Sequence, residues 1–158
     1  MDVSLSDLQG YVGKSIGQLC NNRFTTTSQS HCAHVVSHIL DIQLATLCGD
    51  MTYATRRTGA TIRCDELYNG LVRKGPWDQK PTPHNGLLIF CISAGNFVGG
   101  QMMNVRQKHV GIHHSGMVFN YSNAHQKVVA NHSVEAFLKK LDAIYDANDI
   151  SLFYGVAP

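Results

Sequence analysis

The segment "KHVGIHHSGMVFNYSN", residues 108–123, restricts the fold of this chain more than any other stretch. Two runs in which apolar and polar residues alternate lie on either side of Ser115-Gly116, a pair that suits a two-residue turn. Alternation of this kind is typical of a β-strand with one buried face. The segment therefore predicts an antiparallel hairpin.

The register of this hairpin follows from its turn. A two-residue turn places Ile112 opposite Phe119, on the side that is predicted to face the core. The other side then carries His109 and Asn120 at diagonal positions, and Gly111 leaves open space between them. We therefore expect a histidine ring and a side-chain amide to meet on one face of the sheet.

The remaining elements follow from periodicity, capping residues and turn residues. They are a helix over about 5–20 with Ser4 as N-cap, a helix over 31–40, a short helix within 63–75 that Gly75-Pro76 stops, strands over 87–93, 127–130 and 150–156, and a helix over 134–145 with Ser133 as N-cap. Helices precede a mostly antiparallel sheet with one late helix, which predicts the α+β class. A chain of 158 residues suits one domain over 1–158.

Composition and charge exclude several classes of partner. The net charge of +2, with the histidines neutral, gives no indication of nucleic-acid binding. No stretch reaches the roughly 18–20 apolar residues that a membrane-spanning helix needs, so no membrane partner is expected. The first residues lack the basic and apolar regions of a secretory signal, and the five cysteines have no paired spacing. We therefore expect synthesis in the cytoplasm with reduced thiols.

The segment "SQSHCAHVVSHIL", residues 28–40, places Cys32 at the start of a helix. With Ser30 as N-cap, Cys32 is predicted at the second helical position. Unpaired N–H groups there lower the pKa of a thiol and can receive an oxyanion, and the small Ala33 permits close packing. With His109 as base and Asn120 to orient the ring, the pattern predicts a cysteine–histidine–asparagine triad.

Three segments carry a resemblance to a known family. "HCAHVVSHIL" resembles the family's cysteine helix, and "GLLIFCIS" resembles the strand that precedes its histidine. "HVGIHHSGMVFNYS" resembles its histidine hairpin. The family is the NlpC-type and CHAP-type branch of papain-like cysteine peptidases and amidases. The resemblance covers about residues 28–156. It implies a papain-like fold in which N-terminal helices, with the catalytic cysteine at a helix N-terminus, pack on a mostly antiparallel sheet.

The resemblance also implies roles for individual residues. Cys32 corresponds to the nucleophile, His109 to the base in the family's "HVGIY"-like strand, and Asn120 to the polar residue that orients the base. Ser122 and Asn123 stay open as alternatives to Asn120. The candidate residues for substrate and oxyanion binding are Gln29, Ala33 and Gly111. The chain departs from the family at His31 and Ala33-His34, where relatives usually have Asp or Asn and Ser-Gly.

The histidines allow a metal interpretation. His34 and His38 are four residues apart, as in zinc proteases, but Val35 stands where those enzymes have glutamate. No fixed pattern supplies further ligands from His31, Cys32, His113 and His114. We therefore expect no metal and no cofactor, and we interpret His34 and His38 as a polar helix face, although the roles of His31, His34 and His38 stay open. Four other cysteines are expected to be ordinary buried residues: Cys20, Cys48, Cys64 and Cys91.

The predicted function is thiol-dependent cleavage of an amide bond. The resemblance implies peptidoglycan peptides as substrate, cleaved by an amidase or endopeptidase. The compact layout without a signal is similar to that of peptidoglycan amidase effectors of type VI secretion, which would act in the periplasm after signal-independent export. An immunity or inhibitor protein is then a candidate partner. Two alternatives stay open: a non-catalytic or zinc-binding module on the same fold, and a cytosolic amidase or acyltransferase of the same superfamily.

Overall fold

The structure is a computed structural model that describes residues 2–52, 56–82, 85–144 and 149–158, with the backbone alone for 142–144. The helices are α1 (Leu5–Tyr11), α2 (Ile16–Leu19), α3 (Cys32–Leu40), α4 (Cys48–Thr52), α5 (Cys64–Gly70) and α6 (Val134–Ile144). The strands are β1 (Lys74–Pro76), β2 (Leu87–Ser93), β3 (Phe97–Val98), β4 (Gln101–Met102), β5 (Lys108–His114), β6 (Met117–Ser122), β7 (Lys127–Asn131) and β8 (Ile150–Gly155).

The strands form one large antiparallel sheet and a small separate hairpin. The large sheet has the order β1-β8-β2-β5-β6-β7, and β3 pairs with β4 alone. Each neighbouring pair in the large sheet is antiparallel. The α+β class and the antiparallel sheet are therefore confirmed.

The hairpin of β5 and β6 has the predicted register. Gly111 pairs with Asn120, and Ile112 pairs with Phe119. Ser115 and Gly116 both have positive φ, at 51° and 78°, as a type I′ turn requires. The diagonal relation of the histidine and the amide therefore follows from the alternation of the sequence.

Both faces of this hairpin are covered, whereas the alternation predicted one core-facing side. Helix α3 packs on β5 and β6 on the face that carries Val110 and Ile112. Helix α6 packs on β6 and β7, where Phe137 and Leu141 join Val118 in a second apolar cluster. The late helix thus buries the face that also carries His109.

Two helix predictions were wrong in their limits. The helix predicted over 5–20 is divided, because Gly13 has a φ of +90° and donates its N–H to the carbonyl of Val128 at 2.9 Å. This bond to β7 turns the chain away from the helical path, although the predicted Ser4 cap is present. The helix predicted within 63–75 ends at Gly70, because the chain then joins the sheet edge as β1. Residue 145, the predicted end of the last helix, lies outside the described residues.

Candidate functional site

Cys32 is the first residue of α3, one position earlier than predicted. The N-cap is His31, not Ser30, so that prediction was wrong. The physical reason is the side chain of Asn123, whose Oδ1 accepts the His31 N–H at 3.0 Å and whose Nδ2 donates to Ser30 Oγ at 3.2 Å. The end of β6 therefore holds the chain just before Cys32.

The start of α3 offers backbone donors beside the thiol. The first backbone bond within this turn runs from the Val35 N–H to the His31 carbonyl at 2.9 Å. The N–H groups of Cys32, Ala33 and His34 come before that bond, at the positions where a helix has no internal acceptor. An anion that forms at the Cys32 sulfur would meet these donors and the positive end of the helix dipole.

His109 lies on β5 and is held from behind by two amide side chains. Its Nε2 is 3.0 Å from Asn120 Oδ1, and Asn120 Nδ2 donates to Asn131 Oδ1 at 2.7 Å. Cys32 lies close enough to His109 to raise the pKa of its ring. Because Nε2 faces Asn120, Nδ1 is the nitrogen that remains for Cys32. The structure thus brings together the three residues that the sequence predicted.

The two alternatives to Asn120 are engaged elsewhere. Ser122 Oγ accepts the His125 N–H at 3.2 Å. Asn123 holds the start of α3 through Ser30 and His31. Asn120 is therefore the residue of the three that contacts the ring of His109.

The space at Gly111 is filled, although the sequence predicted it to be open. A Cβ on Gly111 would lie 2.8 Å from Val118 Cγ1, 3.0 Å from the Phe119 carbonyl oxygen and 3.1 Å from Asn120 Cβ. The missing side chain lets β6 approach β5 closely. Gly111 thereby brings Asn120 within reach of His109.

The pKa of the Cys32 thiol is well below its ordinary value. The largest cause is a hydrogen bond from the Cys64 thiol, and burial opposes it. The charge and hydrogen bond of His109 and a hydrogen bond from Ser30 lower the pKa further. Each of these groups favours the thiolate over the thiol.

The pKa of His109 is raised. Burial alone would lower it, but the charge of Cys32, its hydrogen bond and the hydrogen bond to Asn120 outweigh burial, and the charge of Lys140 adds a small opposing effect. A lowered cysteine pKa beside a raised histidine pKa describes a thiolate–imidazolium pair. Such a pair can attack a carbonyl carbon and protonate a leaving group.

Sequence reasoning missed two residues of this site. Cys64, interpreted as an ordinary buried residue, lies beside Cys32 and lowers the pKa of that thiol, and its own pKa is raised well above the ordinary value by burial and by Cys32. No pattern in the sequence indicates this contact. Asn131 follows the predicted strand 127–130 directly, and its place diagonal to Asn120 could have been found by extending the register into β7.

One cavity is lined by Cys32 and a second is lined by His109. One, of about 180 Å³, contains Cys32 and Gln29 and has basic side chains from Arg63, Arg106 and Lys108. The other, of about 240 Å³, is lined by His109, Asn120 and residues of α6. The cavity of Cys32 is thus basic, and the cavity of His109 is largely apolar.

A second group of polar residues lies along α3. The ligand atoms of Cys20, His34, His38 and Cys48 all lie within 4.8 Å of one another. Burial, followed by the charges of His38 and His31, lowers the pKa of His34 to about 3, so its ring is neutral. The polar helix face formed by His34 and His38 lies inside the fold: the ring of His34 is wholly buried, and its two nitrogens contact His31 at 3.0 Å and His38 at 3.1 Å.

No protein-family model matches the chain, and a search of curated proteins finds no match to it. Within the described part of the chain, the helices are too short or too polar to cross a membrane.

Proposed function

We propose that this protein is a cysteine hydrolase that cleaves amide bonds, with Cys32 as nucleophile, His109 as general acid and base, and Asn120 to orient His109. The single observation that carries the proposal is the 3.0 Å contact of His109 Nε2 with Asn120 Oδ1, in a ring whose pKa the neighbouring Cys32 raises. The contact fixes the ring nitrogen that carries the second proton. This is the arrangement of a cysteine–histidine–asparagine triad.

Acylation begins when the proton of Cys32 has moved to His109. The thiolate attacks the amide carbonyl carbon, and the electron pair of the C=O bond moves to the oxygen. Backbone N–H groups of Cys32 and Ala33 stabilise this oxyanion, with Gln29 beside them as a further donor. The C–N bond then breaks, and His109 gives its proton to the departing amine.

Deacylation uses the same residues, with His109 now acting as a base. His109 takes a proton from water, and the hydroxide attacks the thioester carbon. The C–S bond breaks, a carboxylic acid leaves, and Cys32 returns to the thiolate. Asn120 keeps the His109 ring in one tautomer through both steps.

The same proposal includes a papain-like fold of the NlpC type. A cysteine at the N-terminus of α3 packs on an antiparallel sheet whose central strands carry the histidine and the amide. The chain order of cysteine helix, histidine strand and amide strand supports this assignment. The coarse α+β class is established separately by the sheet and its helices.

The proposed substrate class is the peptides of peptidoglycan, which carry free carboxylates. Arg63 and Arg106 line the cavity of Cys32, and within the described residues neither has a carboxylate partner within 4.0 Å. Lys108 in the same cavity lies 4.0 Å from Asp65. A cavity with two uncompensated guanidinium groups favours an acidic ligand.

For an amidase of this kind delivered to the periplasm, an inhibitor protein is the natural partner.

The test is digestion of purified peptidoglycan sacculi, followed by mass analysis of the released fragments. We expect new amino and carboxyl ends with the wild-type protein and none with Cys32→Ala or His109→Ala. His125→Ala, which removes an exposed histidine, is the matched control and should keep full activity. Identical fragments from wild type and Cys32→Ala would refute hydrolysis of this substrate.

The rate at which iodoacetamide alkylates Cys32 tests the reactivity of the thiol independently of the substrate. If Cys32 reacts no faster than the other four thiols, the chain is a non-catalytic module. If Cys32 reacts fast but sacculi stay intact, the hydrolase proposal needs a different amide substrate.

A further inference from the structure

The buried group of Cys20, His34, His38 and Cys48 has the composition of a metal site. The four residues come from three separate segments: the end of α2, the helix α3 and the start of α4. We propose that they bind one Zn²⁺ in a tetrahedral site that fastens α3 to its neighbours. Two sulfur and two nitrogen ligands in this arrangement select zinc over calcium, magnesium and manganese.

The distances between ligand atoms are close to those of a tetrahedral site. Zn–S bonds of about 2.3 Å and Zn–N bonds of about 2.0–2.1 Å require about 3.3 Å between nitrogens and about 3.6 Å between nitrogen and sulfur. His34 Nε2 and His38 Nε2 are 3.1 Å apart, and Cys48 Sγ is 3.8 Å from His38 Nε2. No pair in the group exceeds 4.8 Å. Shifts of about an ångström or less would therefore close the site.

A chain of hydrogen bonds sets the tautomer of His34. His31 Nε2 is 2.7 Å from the Thr26 carbonyl, which can only accept, so His31 Nε2 carries its proton. His31 Nδ1 is then an acceptor, and His34 Nδ1 donates to it at 3.0 Å. The lone pair of His34 Nε2 is left pointing at His38 and the two sulfurs. Outer hydrogen bonds of this kind orient the histidine ligands of metals.

The sulfur of Cys48 receives two N–H donors. Cys48 Sγ receives the Ala60 backbone N–H at 3.3 Å and Asn22 Nδ2 at 3.2 Å. These donors would stabilise the thiolate that a bound metal requires. Thiolates buried beside each other need a cation between them.

Gly59 shows how closely the surrounding loop approaches the sulfur. A Cβ at this position would lie 2.2 Å from Cys48 Sγ and 2.5 Å from Asn22 Nδ2. The φ of Gly59 is +97°, a conformation that other residues rarely adopt. The backbone is therefore folded tightly around the proposed ligand.

The proposed site is closed, which indicates a structural role. Cys20, His34 and Cys48 are each at most 5 % exposed, and His38 is partly buried. Four protein ligands leave no position for water or substrate, unlike a catalytic zinc with three. The ion would join α3 to the end of α2 and to the start of α4, and Cys32 lies two residues before the ligand His34. The metal would thus hold the helix that presents Cys32.

The first test is the metal content of the purified full-length protein, measured by inductively coupled plasma mass spectrometry. We expect about one zinc per chain, falling below about a tenth in His34→Ala and in Cys48→Ser. The matched controls His125→Ala and Cys32→Ala should retain the full zinc content. Loss of zinc from Cys32→Ala would overturn the proposed ligand set, and its retention separates this site from the proposed hydrolase.

A second measurement keeps the proposal testable if the ligand variants fail to fold. Wild-type protein stripped of zinc and loaded with Co²⁺ should show the intense visible bands of tetrahedral cobalt and a sulfur-to-cobalt charge-transfer band. Protein that contains no zinc, gives no such spectrum and has free Cys20 and Cys48 thiols overturns the proposal. A disulfide between Cys20 and Cys48 overturns it equally.

Discussion

The side-chain amide of Asn120 donates to Oδ1 of Asn131 at 2.7 Å. This bond decides which end of the Asn120 amide faces His109, because the nitrogen is engaged by Asn131 and the oxygen is left for the ring. An Asn120 amide flipped by 180° about its Cβ–Cγ bond would present N–H groups to the histidine. Asn131 is thus a positioning residue for the proposed triad.

Asn131→Ala should therefore lower kcat with little change in KM. Loss of one neutral hydrogen bond costs about 1 kcal/mol, which is roughly a fivefold decrease in rate. Asn131→Asp keeps an acceptor oxygen and should retain most of the activity. Steady-state kinetics of both variants, with His132→Ala at the exposed neighbouring position as control, check this. Equal losses in Asn131→Asp and Asn131→Ala would contradict a role as acceptor.

The contact of Cys64 with Cys32 leads to a pH prediction. Cys64 stabilises the thiolate of Cys32, so removing the donor should raise the pKa of Cys32. The wild-type thiol should be alkylated by iodoacetamide well below the pH at which an ordinary cysteine, with a pKa of about 8.5, ionises. In Cys64→Ala the whole profile of rate against pH should move towards higher pH. Cys64→Ser keeps a donor and should move it less.

The opposite shift would contradict this account of Cys64. If Cys64→Ala moved the profile to lower pH, the neighbouring thiol would destabilise the Cys32 thiolate. His109→Ala is the reference for a large shift, because it removes the positive partner of the thiolate.

Most of the proposed triad could be predicted from the sequence because a hairpin is a local structure. Alternation and a two-residue turn determine the register, and the register places His109 and Asn120 on one face. A cysteine at the start of an amphipathic pattern similarly indicates a helix N-terminus. These inferences need only short stretches of the chain, and they were right except for the N-cap at Ser30, the open space at Gly111 and the single core-facing side of the hairpin.

The remainder of the site depends on contacts between distant segments. Cys64 reaches Cys32 from α5, and Cys48 reaches His38 from the region 44–60, which has no readable periodicity. The break at Gly13 is likewise caused by a bond to the distant Val128. No local propensity indicates such contacts, because they depend on how the elements pack.

Gly111 provides a stability prediction. A methyl group there would lie 2.8 Å from Val118 Cγ1, so Gly111→Ala must push β6 away from β5. Overpacking of this kind costs about 1–3 kcal/mol in the free energy of unfolding, measured by urea denaturation. The activity of the folded variant should fall as well, because Asn120 moves with β6.

The matched control for this change is Gly10→Ala in α1. No heavy atom lies within 4 Å of a Cβ at Gly10, and its φ is ordinary. Alanine is favoured over glycine in a helix by roughly 0.5–1 kcal/mol, so this variant should be slightly stabilised. If both variants had the same free energy of unfolding as the wild type, the close packing at Gly111 would be refuted.

The basic cavity beside Cys32 predicts how the protein selects its substrate. Arg63→Ala and Arg106→Ala should each raise KM for a peptide with free carboxylates by roughly fivefold, since a charge-assisted hydrogen bond at these exposed positions contributes about 1 kcal/mol. The value of kcat should change little, because neither guanidinium contacts the reacting atoms. Arg73→Ala, which removes an exposed arginine away from this cavity, is the control. Neither substitution should change the KM for the same peptide with amidated carboxylates. An equal rise in KM for both peptides would show that the arginines do not recognise the carboxylates.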